Sequence, residues 1–211
     1  MNDTNYHPDW QKNRIKFILS KYGKDFFKGK SILELGPYNG YIGAYFQSLG
    51  ANVLGVEGRQ SNVDMIKHHY PELKVVQGDL DTPSWSYGKF DIIINFGLLY
   101  HLENYHKEHL LNCIRSCNLM FLESVIFDSY VNEIYKVRRL GSDQSLSEID
   151  GYPSQKFIDD ILNRPGFCTY NMYTDSSLNG NGHTYDWVST GSRAFNDTAR
   201  RFWIINANNI T

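Results

Sequence analysis

The sequence has few cysteines, almost no net charge and no long apolar run. Its three cysteines, Cys113, Cys117 and Cys168, are an odd number without metal-ligand spacing, and they read as small buried hydrophobes. Cys113 and Cys117 stand four apart on an expected helix, which puts them on one face. A formal net charge of −2 argues against a general polyanion binder, because non-specific nucleic-acid affinity rests on neutralising several phosphates. RNA bound through a local patch stays open. No stretch approaches the roughly 18 apolar residues of a membrane span, and the polar start MNDTNYHPDW predicts no signal peptide. The chain therefore reads as soluble and cytoplasmic. There is no internal repeat. With 211 residues and 41% hydrophobic content, one substantial core and one domain are expected.

What the chain does have is concentrated in SILELGPYNGYIG, from Ser31 to Gly43. Ser31 to Leu35 reads as a short buried strand with Glu34 as its polar exception. Gly36 to Gly43 reads as a glycine-punctuated turn feeding a helix to about Leu49. Only glycine lets a backbone turn sharply at positive φ and approach a ligand closely, and the helix start offers free N–H donors. Glycine spacing then discriminates between ligands. A dinucleotide fingerprint places glycines at relative positions one, three and six, whereas Gly36, Gly40 and Gly43 fall at one, five and eight, with Tyr38 at three. Glu34, at the carboxyl end of the strand, would repel a pyrophosphate and can accept from an ammonium. The ligand expected is cationic and has no pyrophosphate.

These residues resemble the first motif of the class I S-adenosylmethionine-dependent methyltransferases, an acidic residue, any residue, then Gly-x-Gly-x-Gly. Glu34, Gly36 and Gly40 match, and Tyr38 departs at the middle glycine. Further along, Asn52 to Val56 reads as a second strand ending in Glu57-Gly58-Arg59. An acidic side chain there can accept from both ribose hydroxyls, a device that Rossmann dehydrogenases share. After a helix from Gln60 to His69 and a strand from Leu73 to Gln77 comes Gly78-Asp79-Leu80. The resemblance implies that Asp79 accepts from the adenine amino group while the Leu80 N–H donates to a ring nitrogen. Phe90 to Phe96 is a near-continuous apolar run, as a strand buried on both faces requires. Its end, Asn95-Phe96-Gly97, belongs to the cofactor crevice by the same resemblance.

Gly97 to Leu102 resembles the post-strand segment of small-molecule and RNA-modifying methyltransferases, and lacks the Asn/Asp-Pro-Pro-aromatic motif of the amino-directed DNA enzymes. His101 is the candidate general base, since an imidazole near pKa 6.5 suits proton removal; a structural histidine is the competing reading. His106 and His109 read as a solvated helix start in preference to a metal pair, and no metal site is expected. A helix from Tyr105 to Cys117 leads to a fifth strand, Leu119 to Ile126, with Glu123 inside it needing a partner or a proton. Phe127 to Gly151 is polar and implied to carry acceptor-specific elements. Pro153 to Leu162 reads as a helix capped by Ser154. Gly166 to Tyr173 and Arg200 to Asn206 read as two last strands, and His183, Tyr185, Asp186 and Trp187 lie in the excursion between them.

The expectation is a single α/β Rossmann-like domain: a seven-stranded mostly parallel sheet, helices on both faces, and a C-terminal antiparallel hairpin. The apolar spacing from Pro8 to about Tyr22 reads as a helix packed on the core sheet, and the resemblance implies that residues 1–29 form a helical lid bearing Tyr6, Trp10 and Arg14, residues 30–126 the cofactor core, and residues 127–211 the acceptor region and sheet-closing elements. The resemblance implies S-adenosyl-L-methionine as cofactor and methyl transfer to an oxygen or nitrogen of a small molecule. A non-catalytic S-adenosylmethionine-binding protein and an NAD(P)-dependent oxidoreductase are the alternatives.

Overall fold

Five apolar runs pair in parallel to make the centre of the sheet: β1 (Ser31–Leu35), β2 (Asn52–Glu57), β3 (Lys74–Gln77), β4 (Phe90–Phe96) and β5 (Cys117–Val125). The computed structural model describes residues 8–141, 145–186 and 199–207. Two strands, β6 (Ile134–Arg138) and β7 (Ile149–Pro153), pair with each other in a separate antiparallel sheet. The last two, β8 (Cys168–Tyr173) and β9 (Arg200–Ala207), pair antiparallel, and β9 also runs antiparallel to β5. The strand order is β3-β2-β1-β4-β5-β9-β8. The sequence expectation of a seven-stranded mostly parallel sheet closed by an antiparallel hairpin holds.

Side-chain alternation distributes the core over both faces. Ile32, Ile92 and Ile94 pack with helices α1 (Asp9–Tyr22), α2 (Tyr41–Ser48) and α3 (Gln60–His69). Leu33, Leu35 and Ile93 pack on the other side with α4 (His106–Arg115) and α5 (Gln155–Leu162). Ser154 caps α5 as expected, its side chain accepting from the Phe157 N–H. The order reverses between β2 and β4 on either side of β1, so their carboxyl ends open a crevice there.

Three local expectations need correction. First, α4 stops at Arg115 and Cys117 already begins β5, so Cys113 and Cys117 share no helix face. Second, the polar stretch after β5, for which the sequence reading assigns no strand, contains the β6–β7 hairpin. Its docking depends on Gly151, where a Cβ would lie 2.4 Å from His106 Nε2. Third, His106 and His109 are buried instead of solvated. His106 Nε2 donates to the Gly151 carbonyl at 2.8 Å, and His109 Nε2 lies 2.8 Å from the Asn95 amide. No group of three or more potential metal ligands occurs among the described residues, and no described helix is long and apolar enough to cross a membrane.

Glu34 is the costly residue of the central strands. It is buried against α2, where a Cβ on Gly43 would meet its Oε2 at 2.4 Å. Burial lifts its carboxyl to about 8, opposed by the Gly43 backbone N–H and assisted by the Glu57 charge. A carboxyl raised in the folded state binds its proton more tightly there than in the unfolded chain, where it titrates near 4.5. Its stabilising contribution is therefore complete below that value and is lost as the pH rises to 8. His109, lowered by burial to about 4, His183, lowered to about 3, and His106, also lowered, act in the opposite sense, their effect growing as the unfolded imidazoles lose their protons around 6.5. In chemical denaturation without ligand, the wild type is thus expected to lose stability relative to Glu34→Gln between pH 5 and 8, with a slope of up to about 1.4 kcal/mol per pH unit. A difference between wild type and Glu34→Gln that stays constant over this window contradicts the assignment.

Candidate active site

The turn after β1 takes the left-handed conformation three times, at Gly36 (φ 66), Tyr38 (φ 54) and Gly40 (φ 77). Tyr38 thus stands where the family pattern has its middle glycine and adopts the same backbone sign. A non-glycine residue there costs energy, and the offset comes from the next strand. Glu57 at the end of β2 accepts from the Tyr38 N–H at 3.1 Å through one oxygen and from the Arg59 N–H at 3.0 Å through the other. The turn is held from its outer side by α1, where Gln11 and Asn39 exchange reciprocal amide bonds of 2.9 and 3.2 Å.

Two adjoining cavities open over this turn. One, of about 210 Å³, is lined among others by Glu34, Gly36, Tyr38, Glu57, Phe96 and Gly97, and also by Trp10, Arg14, Tyr100 and His101. The second, of about 240 Å³, is lined by Gly58, Asp79, Leu80 and the 145–147 segment. Gly36, Glu57, Leu98 and His101 border both. Glu34 Oε2 is buried without a hydrogen-bond partner among the described residues, and its residue lines the first cavity.

Most of the sequence-predicted residues are therefore brought together, but three stand apart. Gly40 caps α2 from behind, where a Cβ would press on Ile66 at 2.9 Å. The Arg59 guanidinium donates to the Ser145 carbonyl at 2.9 Å, fastening the strap over the second cavity. Asn95 is fully buried under β4 with its amide on His109, so its side chain does not line either cavity. Asp79 is exposed and accepts from the Asp81 N–H at 2.8 Å. Of the lid residues, Trp10 and Arg14 reach the first cavity, whereas Tyr6 lies outside the described residues. In the late excursion, His183 lines the cavity, and the buried Tyr185 hydroxyl accepts from Arg14 Nε at 2.9 Å. Asp186 pairs at the surface with Asn179, and Trp187 lies outside the described residues.

His101 acquires a partner that sequence reading missed. Its Nδ1 lies 2.9 Å from Asp150 Oδ1. A carboxylate only accepts, so Nδ1 carries the proton and Nε2 is left as the basic nitrogen. Asp150 is buried on β7 and is steadied by the Tyr152 hydroxyl, which donates to Oδ2 at 2.9 Å. Burial first, then the Asp150 charge, pushes the Tyr152 phenol up, so it remains a donor. Nothing in the sequence pairs positions 101 and 150, because the contact exists only once the hairpin docks on the segment after β4.

A family profile described as a methyltransferase domain matches residues 9–167. No curated protein matches the sequence. Among solved structures, the N-terminal domain of EvdMO1, crystallised with SAH and D-fucose, is 17% identical at a TM-score of 0.65, with 98% of this chain and 85% of that chain covered. The glycopeptide N-methyltransferase MtfA is 13% identical at 0.61, covering 96% and 92%. The plantazolicin methyltransferase BamL is 11% identical at 0.60, covering 94% and 85%. At such identities the likeness is one of fold, and the family profile carries the assignment. The chain belongs to the methyltransferase domain family and is a class I, Rossmann-like methyltransferase that uses S-adenosylmethionine.

Proposed function

We propose that this enzyme methylates an oxygen or nitrogen of a small-molecule acceptor, with His101 as the general base. The observation that carries this reading is the His101–Asp150 pair on the cavity wall, 2.9 Å apart. S-Adenosylmethionine supplies a methyl group already activated on a sulfonium sulfur. The chain has to bind it, align the acceptor and remove one proton, and alignment alone is worth up to about 7–11 kcal/mol. His101 Nε2 takes the proton that the acceptor hydroxyl or amine loses. Asp150, a positioning residue, fixes the imidazole tautomer and steadies the imidazolium that results.

The residues present fit the methyl donor. The unpartnered Glu34 Oε2 supplies an acceptor for its ammonium. Glu57, with each oxygen engaged by only one backbone N–H, keeps lone pairs for the ribose hydroxyls. Asp79 and Leu80 border the neighbouring cavity and suit the adenine. Residues 1–29 then act as a cover through α1, residues 30–126 hold the donor, and the later elements shape the acceptor pocket. Two similar structures, one crystallised with D-fucose and one with a triazolic desmethylPZN analog, support a small acceptor.

Parallel calorimetric titrations with S-adenosylmethionine, S-adenosylhomocysteine and NAD are expected to give saturable binding of the first two alone. Glu57→Ala should weaken S-adenosylhomocysteine by about 1.5–3 kcal/mol, the value of a charge-assisted hydrogen bond, and unchanged affinity would remove the ribose assignment. For the base, S-adenosylhomocysteine formation is followed over pH with a panel of hydroxylated and amino acceptors. His101→Ala should lower kcat by about 10²–10⁴ and abolish the acidic limb of the profile, while Asp150→Asn moves that limb and leaves donor affinity in place. A profile unaltered by His101→Ala rules the histidine out.

A further inference from the structure

The far wall of the first cavity buries two guanidinium groups on one carboxylate. Glu123 Oε2 lies 2.8 Å from Arg14 Nη2, and Glu123 Oε1 lies 2.8 Å from Arg200 Nη1. The three side chains are 0%, 1% and 6% exposed in the order Glu123, Arg14, Arg200. Their remaining polar neighbours are hydroxyls and a ring. Tyr185 accepts from Arg14 Nε, and Tyr100 accepts from Arg200 Nη2 at 3.1 Å. His183 stands 3.2 Å from Arg14 Nη2. Burial, reinforced by the Arg200 and Arg14 charges, pushes its ring down to about 3, so it adds no positive charge of its own at neutral pH.

One positive charge is therefore in excess at this wall, and Arg200 Nε is buried without a partner among the described residues. An uncompensated buried charge is destabilising. Glu34 does not relieve it, because in the ligand-free chain its raised carboxyl is mostly protonated at neutral pH. The methyl donor, with a sulfonium, an ammonium and one carboxylate, carries a net positive charge that an ionised Glu34 at most cancels, and the Glu57 carboxylate is engaged at the turn after β1 by the Tyr38 and Arg59 N–H groups. The buried guanidinium pair, with Arg200 Nε unpartnered among the described residues, thus offers a seat for a negative group on the acceptor.

We propose that the acceptor is a carboxylic acid whose carboxylate seats against Arg200 and Arg14, an assignment that rests on the methyltransferase reading above. Guanidinium groups match carboxylates in geometry, and a single negative charge matches the single excess. A phosphate monoester, at about −1.5 to −2 near neutral pH, would overshoot it. The Tyr100 ring separates the anchor from the base, 5.1 Å from Arg200 Cζ and 4.1 Å from the His101 ring centre. Arg200 and His101 both line the first cavity, so an acid held at Arg200 has its hydroxyl or amine in the same space as the base, and Trp10, 4.2 Å from the Arg14 guanidinium, walls that space.

Benzoate and its neutral isostere benzamide test the charge requirement. Each is titrated into the wild-type chain saturated with S-adenosylhomocysteine. Benzoate is expected to bind at least about tenfold more tightly than benzamide, and Arg200→Gln to abolish that preference while Arg200→Lys keeps part of it. S-Adenosylhomocysteine affinity should change less than about threefold in Arg200→Gln, since the loss expected there is confined to the acceptor. Equal binding of the two probes overturns the proposal, as does a preference that survives Arg200→Gln. Displacement of S-adenosylhomocysteine by benzoate also overturns it, because the arginines would then belong to the donor's own carboxylate. If Arg200→Gln does not fold, the wild-type contrast decides alone. A chain that binds no S-adenosylhomocysteine fails the methyltransferase reading separately, and the same two probes are then read on the ligand-free protein.

Discussion

Glu123 is the point at which the beginning, middle and end of the chain are tied together. It sits fully buried on β5, takes Arg14 from α1 on one oxygen and takes Arg200 from β9 on the other. Arg14 in turn holds the Tyr185 hydroxyl and lies against Trp10, and Arg200 holds Tyr100. Removing the carboxylate would leave two buried cations facing each other, a far larger penalty than losing one exposed ion pair. The antiparallel seating of β9 beside β5 and the placement of α1 over the crevice both depend on this junction. Its two arginines also line the first cavity, so the group that organises the fold also charges that wall.

A second constraint acts at the other end of the cavity. The turn after β1 needs three left-handed residues, and only two of them are glycine. Glu57 makes the third affordable by accepting the Tyr38 N–H. The same carboxylate borders both cavities. The backbone bond that stabilises the turn thus also aims Glu57, since an oxygen held by an N–H from one side presents its remaining lone pairs to the other.

The central strands and the residues at their ends were legible because both are local. Ile92-Ile93-Ile94 announces a strand buried on two faces, and Glu34, Glu57 and Asp79 are read from their position at strand ends. What was not legible depends on contacts distant in sequence. Arg14 is spaced like a solvent-facing charge among the apolar residues of α1, and its burial follows only from Glu123, 109 positions later. His106 and His109 carry the signature of a polar helix start, and burial comes from the β6–β7 hairpin and Trp85 packing over them. Asn95 looked like a crevice residue because it ends β4, yet its register with Leu35 and Leu122 sits it in the interior, where alternation sends its side chain to the α4 face. The hairpin itself hides in a polar stretch whose residues pair with one another and not with the main sheet.

The position of His101 follows from this arrangement of local and distant parts. It lies immediately after β4, in a short helical turn, Leu99–His101, and is among the few residues that border both cavities. A base for methyl transfer has to stand where donor and acceptor meet, which on the proposed reading is that shared border. Position alone does not make an imidazole a base, because a free ring rotates and exchanges tautomers. Asp150 removes that freedom, and it is delivered by a hairpin outside the main sheet. On the proposed reading the central strands, whose register pins Glu34 and Glu57, hold the donor, and the base is oriented by an appended element, which can change with the acceptor without disturbing the sheet.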